Sequence, residues 1–132
     1  MKRTANARFA ITKWNEKSYD EGRDLPRLTR ASVTKALTGD MEGEGRVEYL
    51  MMYRSDGSAT CIGFERVVGR VEERSGTFVL QRTGVFEGGL AKESYSVVPG
   101  SATGDLHGLR GEGHTAVGHG LEHPFTLDYE LE

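Results

Sequence analysis

The sequence predicts an all-β protein, a single antiparallel eight-stranded β-barrel formed by residues 1–132 as one domain. Three observations lead there. Eighteen glycines stand against three prolines, with Val, Thr, Tyr and Phe spread along the chain, a composition of strands and tight turns rather than helices. Apolar and polar residues alternate at period two, the spacing of a strand with one wet face. Turn-forming clusters at Gly39–Asp40, Ser55–Ser58, Glu73–Gly76, Glu87–Gly89 and Pro99–Ser101 then cut the chain into pieces of strand length.

The pieces fall near residues 5–15, 28–39, 44–54, 58–70, 76–86, 90–98, 103–110 and 122–131. The second contains the one stretch with a helical alternative, Thr29–Leu37, and its β-branched residues and flanking turn favour strand. In the third, Val47, Tyr49, Met51 and Tyr53 alternate with Arg46, Glu48, Leu50, Met52 and Arg54. One face is therefore apolar and the other mixed, as expected if a partner subunit covers part of it. In the fourth, Ala59, Cys61, Gly63, Glu65 and Val67 share a parity, an inward row carrying one carboxylate. In the fifth, Gln81 shares the parity of Thr77, Val79 and Val85. The sixth and seventh are delimited by turns, and lone glycines such as Gly63 and Gly108 mark bends. In the last, Leu121, Phe125, Leu127, Tyr129 and Leu131 oppose Glu122, Thr126, Asp128 and Glu130. Short links make consecutive strands antiparallel. Closure removes exposed edges, and eight strands leave an interior that is filled by side chains or holds one small ligand.

Size and charge narrow the function classes. A chain of 132 residues buries roughly two-thirds of its unfolded surface and supports one core. Its 17 basic and 20 acidic residues give a net charge of −3, with no field to attract nucleic acid or an anionic membrane. The aromatic residues lack the basic interleaving of a base-stacking surface. Cys61, the single cysteine, excludes an internal disulfide and suits a reducing compartment. The start MKRTANARFAITKW lacks the apolar run of a signal peptide, and no run reaches the ~18 residues of a membrane helix. A soluble, cytoplasmic protein is expected.

The glycine-rich stretch VVPGSATGDLHGLRGEGH, Val97–His114, is not a nucleotide loop. A P-loop needs a lysine that the stretch lacks, and a dinucleotide fingerprint needs a third glycine where Ala116 stands. Its glycines read as turns and strand bends, and no cofactor is expected. His107, His114, His119 and His123 cluster in the last quarter, but His119 and His123 on one strand would lie about 13 Å apart, so no metal site is expected. His123 has the parity of Phe125 and Leu127 and points to the interior.

Glu65 is the candidate catalytic residue. In an apolar row its pKa rises unless a cation meets it, which makes either a general acid or base, or a buried ion pair with Lys35 or Arg82. Lys35 sits in a similar row with Ala31, Val33 and Leu37. Cys61 has no cationic neighbour in sequence and reads as lining, not nucleophile. The candidate ligand-binding set is Tyr49, Met51, Cys61, Gln81, His123 and Phe125. The leading function is binding of an apolar or amphipathic small molecule in the lumen. The alternatives are a cyclase or isomerase using Glu65 as base or charge stabiliser, and a structural assembly protein with a filled barrel.

The order FAITKW, SVTKALTGDMEGEGRVEYLMMY, GFERVVGRVEERSGTFVLQRTG, VVPGSATGDLHGLRGEG and FTLDYEL resembles the bacterial family called domain of unknown function 3224, over nearly the whole chain. Its most specific pieces are Gly63-Phe64-Glu65 followed by Gly69, then Ser75-Gly76-Thr77-Phe78, Val98-Pro99-Gly100-Ser101 with Thr103-Gly104, and Gly108-Leu109-Arg110-Gly111. The resemblance implies an antiparallel barrel similar to allene oxide cyclase, associating as homo-oligomers, dimers or larger. It implies no settled activity. The chain departs from the family pattern at Arg82, where members often carry histidine, and at Ala102, where they carry glycine.

Overall fold

The computed structural model describes residues 2–131. Its strands are β1 (Lys2–Asp20), β2 (Arg27–Gly39), β3 (Met41–Tyr53), β4 (Ala59–Val71), β5 (Arg74–Glu87), β6 (Leu90–Val97), β7 (Thr103–Gly104), β8 (Arg110–Val117) and β9 (His123–Glu130). Neighbours run β4-β3-β2-β1-β9-β8-β6-β5, and β4 pairs back onto β5, so eight strands close a ring. Every pairing is antiparallel. The two-residue β7 only extends the edge of β5. Among the described residues no helix is long and apolar enough to cross a membrane.

The eight-stranded barrel is as the sequence predicts, but one of its staves is not. Beyond the two residues of β7, the predicted strand at 103–110 is a folded loop, and residues 111–117, expected to lie between strands, continue from Arg110 as β8. The reason is local. Gly108 takes a φ of +86°, which breaks an extended run. Backbone bonds from Leu106 N to Thr103 O and from Leu109 N to Leu106 O close two tight turns instead. These turns drive Leu106 and Leu109, both buried, into one end of the barrel as a plug. The loop reaches that position along a continuous cross-strand row, Gly43, Gly69, Gly76 and Gly104. Any Cβ at Gly43 or Gly69 would press into the backbone of the facing strand, so the row is a crease along which the sheet folds tightly.

The interior is layered. The plugged half is packed solid by residues including Met41, Phe78, Leu80, Leu106, Phe125 and Leu127. A second, smaller cluster, Ala31, Val33, Val47 and Tyr49, lines the other half on β2 and β3. Between the two lie three buried charged residues, Lys35, Glu65 and Arg82. Strand β1 reaches into both halves because it is bulged. Ala5, Ala7 and Phe9 point inward, and then a register shift between Ile11 and Lys13 turns Trp14 and Glu16 towards the lumen.

Candidate functional site

The half of the barrel away from the plug is hollow, with a cavity of about 450 Å³. Its walls are Phe9, Val33, Met51, Ala59 and Cys61, and its mouth is framed by Trp14, Phe86 and the loop Gly118–Gly120. Lys35, Tyr49 and Glu93 bring polar atoms to its surface. Apolar walls with a few convergent polar groups are the composition of a small-molecule site.

The floor is an ion-pair layer built from four strands. Arg82 Nε on β5 donates to Glu65 Oε1 on β4 at 2.6 Å. Lys35 Nζ on β2 lies 3.5 Å from the other carboxylate oxygen, Oε2. Arg82 Nη1 lies 3.4 Å from Glu93 Oε2 on β6, which also accepts a hydrogen bond of 2.7 Å from the Tyr49 hydroxyl on β3. The Arg82 guanidinium is stacked over the rings of Tyr95 at 4.6 Å and Phe125 at 5.5 Å. Lys35 Nζ sits 4.7 Å from the centre of the Phe9 ring. Gly45, opposite Lys35 on β3, leaves the space for this: a Cβ there would stand 2.5 Å from Glu65 Oε2.

The electrostatics follow from this geometry. Burial pushes the Glu65 carboxyl up, but Lys35 and Arg82 outweigh it and hold the group below the usual carboxylate range. Burial lowers the Lys35 ammonium, the Arg82 charge adds to that, and Glu65 and Glu93 offset only part. The pair is unequal because Arg82 attracts Glu65 while repelling Lys35. Arg82 is raised: burial opposes its charge, and Glu65 overrides burial. Burial also drives the Tyr49 hydroxyl well above its ordinary value, and the Cys61 thiol up to about 11.

A second polar knot tightens the wall near the mouth. Glu16 accepts from Tyr53 at 2.6 Å, from Thr29 at 2.7 Å and from Trp14 Nε1 at 3.0 Å. Burial pushes Glu16 up, and these bonds hold it below its usual value. Arg27 caps the Tyr53 ring at 4.5 Å.

The sequence-derived candidates divide. Tyr49, Met51, Cys61 and His123 line the cavity, with His123 packed on Phe9 at 5.1 Å between ring centres. Phe125 is inward but lies below the floor, in the packed half. Gln81 is exposed on the outer face, since the inward row of β5 is Phe78, Leu80 and Arg82, and its expected place in the lumen is corrected accordingly. Glu65 is inward, as expected, but meets both Lys35 and Arg82 and does not line the cavity. Leu121, expected on the inner face of the last strand, is outside it and exposed. Glu93 and Trp14 were missed: Glu93 shares the inward parity of Ala91, Tyr95 and Val97 on β6, a signal that could have found it, whereas the bulge in β1 hides the parity of Trp14. Among the described residues no three His, Cys, Asp or Glu side chains converge as metal ligands.

A family model described as a protein of unknown function (DUF3224) matches residues 5–129. A crystal structure of a protein with unknown function from the DUF3224 family of Shewanella oneidensis MR-1 is similar in fold, with a TM-score of 0.85. The two chains are 28% identical, and the match covers 100% of this chain and 98% of that one. No curated protein matches the chain. The match along almost the full barrel means that the chain belongs to the DUF3224 family of proteins of unknown function.

Proposed function

We propose that the protein binds a small apolar molecule with an uncharged polar end in the open half of the barrel. The cavity above the ion-pair floor is the observation that carries this reading. Its volume of about 450 Å³ lies within the range typical of ligand pockets. The floor argues for the uncharged end. Two cations, Lys35 and Arg82, already face two carboxylates, Glu65 and Glu93. A ligand carboxylate would add an uncompensated charge to a poorly solvated layer, which is strongly unfavourable. A hydroxyl or carbonyl adds none, and it can meet the Lys35 donors or the Tyr49–Glu93 pair.

Glu65 serves this reading by holding Lys35 and Arg82 in place. The cyclase or isomerase alternative draws no support from it as a base, because each of its oxygens faces a cation and its carboxyl is held ionised.

Trp14, the single tryptophan, frames the mouth and reports on occupancy through its fluorescence. Titration with octanol is expected to give a saturable change, and octanoate a weaker one at the same pH. A response linear in octanol, without saturation, rejects the reading.

A further inference from the structure

We propose that Lys35 is a carbonyl-reactive amine, and that the polar end of the ligand is an aldehyde or ketone with which it forms an imine. The proposal rests on the cavity reading above and deepens it by naming the reacting group at each end of the contact.

The position of the amine carries the argument. Of the five lysines, four are exposed, and Lys35 alone is buried, only 4% exposed on the cavity floor. Its ammonium has three donors, yet its nearest carboxylate oxygen lies at 3.5 Å, well beyond the roughly 2.7–2.9 Å of a tight charge-assisted bond. Glu65 does not depend on it. Arg82 holds the other carboxylate oxygen at 2.6 Å and remains charged, so Lys35 can release its proton without leaving Glu65 unpaired. Burial and the Arg82 charge favour that release. A desolvated lysine beside another cation is the arrangement that makes an amine nucleophilic near neutral pH.

The other nucleophile on the wall is the Cys61 thiol, and burial raises it to about 11, so little thiolate is present to compete. Glu65, Arg82 and Glu93 act on Lys35 through charge, the Phe9 ring lies against its ammonium, and Tyr49 lines the same cavity.

The step balances without a co-reactant. The Lys35 Nζ lone pair adds to the carbonyl carbon, and the carbonyl oxygen takes one amine proton to give a carbinolamine. That oxygen then leaves as water with the second amine proton, and the nitrogen lone pair closes the C=N bond. Protonation of the imine restores the positive charge that Lys35 contributed to the layer.

The experiment incubates the folded protein with octanal and sodium cyanoborohydride, which reduces an imine to a stable octyl amine, and maps the product by peptide mass spectrometry. Expected is an octyl group on Lys35 at a level above that on any exposed lysine near pH 7.5, since a lowered amine pKa raises the neutral fraction and the cavity holds the aldehyde beside it. An excess of octanol, which cannot form an imine, is expected to suppress the Lys35 adduct alone. The Lys35→Arg chain is expected to lose that adduct and keep the background on the exposed lysines. Labelling confined to exposed amines, while octanol still changes Trp14 fluorescence saturably, overturns the imine and leaves the cavity reading standing. Absence of both the adduct and the saturable octanol response overturns both.

Discussion

Replacing Glu65 with glutamine removes one charge and almost no volume, so its effect isolates the electrostatics of the floor. Glu65 is 1% exposed, with Arg82 at 2.6 Å and Lys35 at 3.5 Å. In the Glu65→Gln chain Arg82 loses its 2.6 Å partner and keeps only Glu93 at 3.4 Å, so its buried positive charge is poorly compensated. Removing one partner from a buried ion pair costs about 3–5 kcal/mol. For a slope of about 2 kcal/mol per molar urea, a loss of about 4 kcal/mol lowers the unfolding midpoint by about 2 M. A second variant checks the reason for the loss. Lys35→Met with Glu65→Leu, Arg82→Met and Glu93→Gln removes all four charges of the layer, and apolar replacement of a buried ionic cluster is often neutral or stabilising. Equilibrium urea unfolding, followed by Trp14 fluorescence and far-ultraviolet circular dichroism, measures both. A loss below about 1 kcal/mol for Glu65→Gln, the scale of an exposed pair, refutes the burial argument. A fourfold variant as unstable as Glu65→Gln refutes the claim that the uncompensated charge is the cause.

Four further outcomes are expected. The Lys35 pKa is lower in the folded chain than in the unfolded one. From the folded value up to about 10.4 the unfolded chain therefore binds the extra proton, so stability rises with pH across that window and the Lys35→Met chain loses this slope. Glu65 works in the opposite range: its folded pKa is depressed, so the stability it adds is present above about 4.3 and lost as pH falls through the folded value. Urea midpoints in a pH series check both. Leu106 is fully buried in the plug, and Leu106→Ala is expected to cost about 2–5 kcal/mol in the same assay; a loss under 1 kcal/mol, about that of a surface change, shows that the plug does not close the core. On the outside, Leu50 faces Ile62 across β3 and β4 with Phe64 nearby, all about half exposed. If a second copy covers this stripe, light scattering gives a dimer or larger assembly that Phe64→Glu dissociates, and a monomeric wild-type chain at every concentration rejects it.

Much of the barrel was legible in the residues because alternation is a one-dimensional signal. Val47 and Tyr49 on β3, and Phe125, Leu127 and Tyr129 on β9, stand inward as their parity requires. The same logic failed on β5. Thr77, Val79 and Val85 share a parity with Gln81 and suggest an inner face, while the true inner row contains Arg82, a residue that reads as solvent-facing. Arg82 is buried only because Glu65, Glu93, Tyr95 and Phe125 arrive from three other strands to pair with it or stack on it. The glycine-rich stretch failed differently. Turn residues mark where a strand cannot continue, and they do not say that Leu106 and Leu109 fold back into the barrel end.

By itself, then, the sequence determined most of the strand pattern and the closed antiparallel barrel, because period-two alternation and turn chemistry act between near neighbours, while its ordered motifs carried the family resemblance. It also placed a carboxylate at Glu65 on the inner face with Lys35 or Arg82 as its partner. Only the tertiary structure decided that both cations meet it, that Glu93 balances the layer, and that one half of the lumen is plugged while the other is open. Those outcomes depend on the stagger of strands distant in sequence, which brings side chains to a common level through hydrogen-bond register.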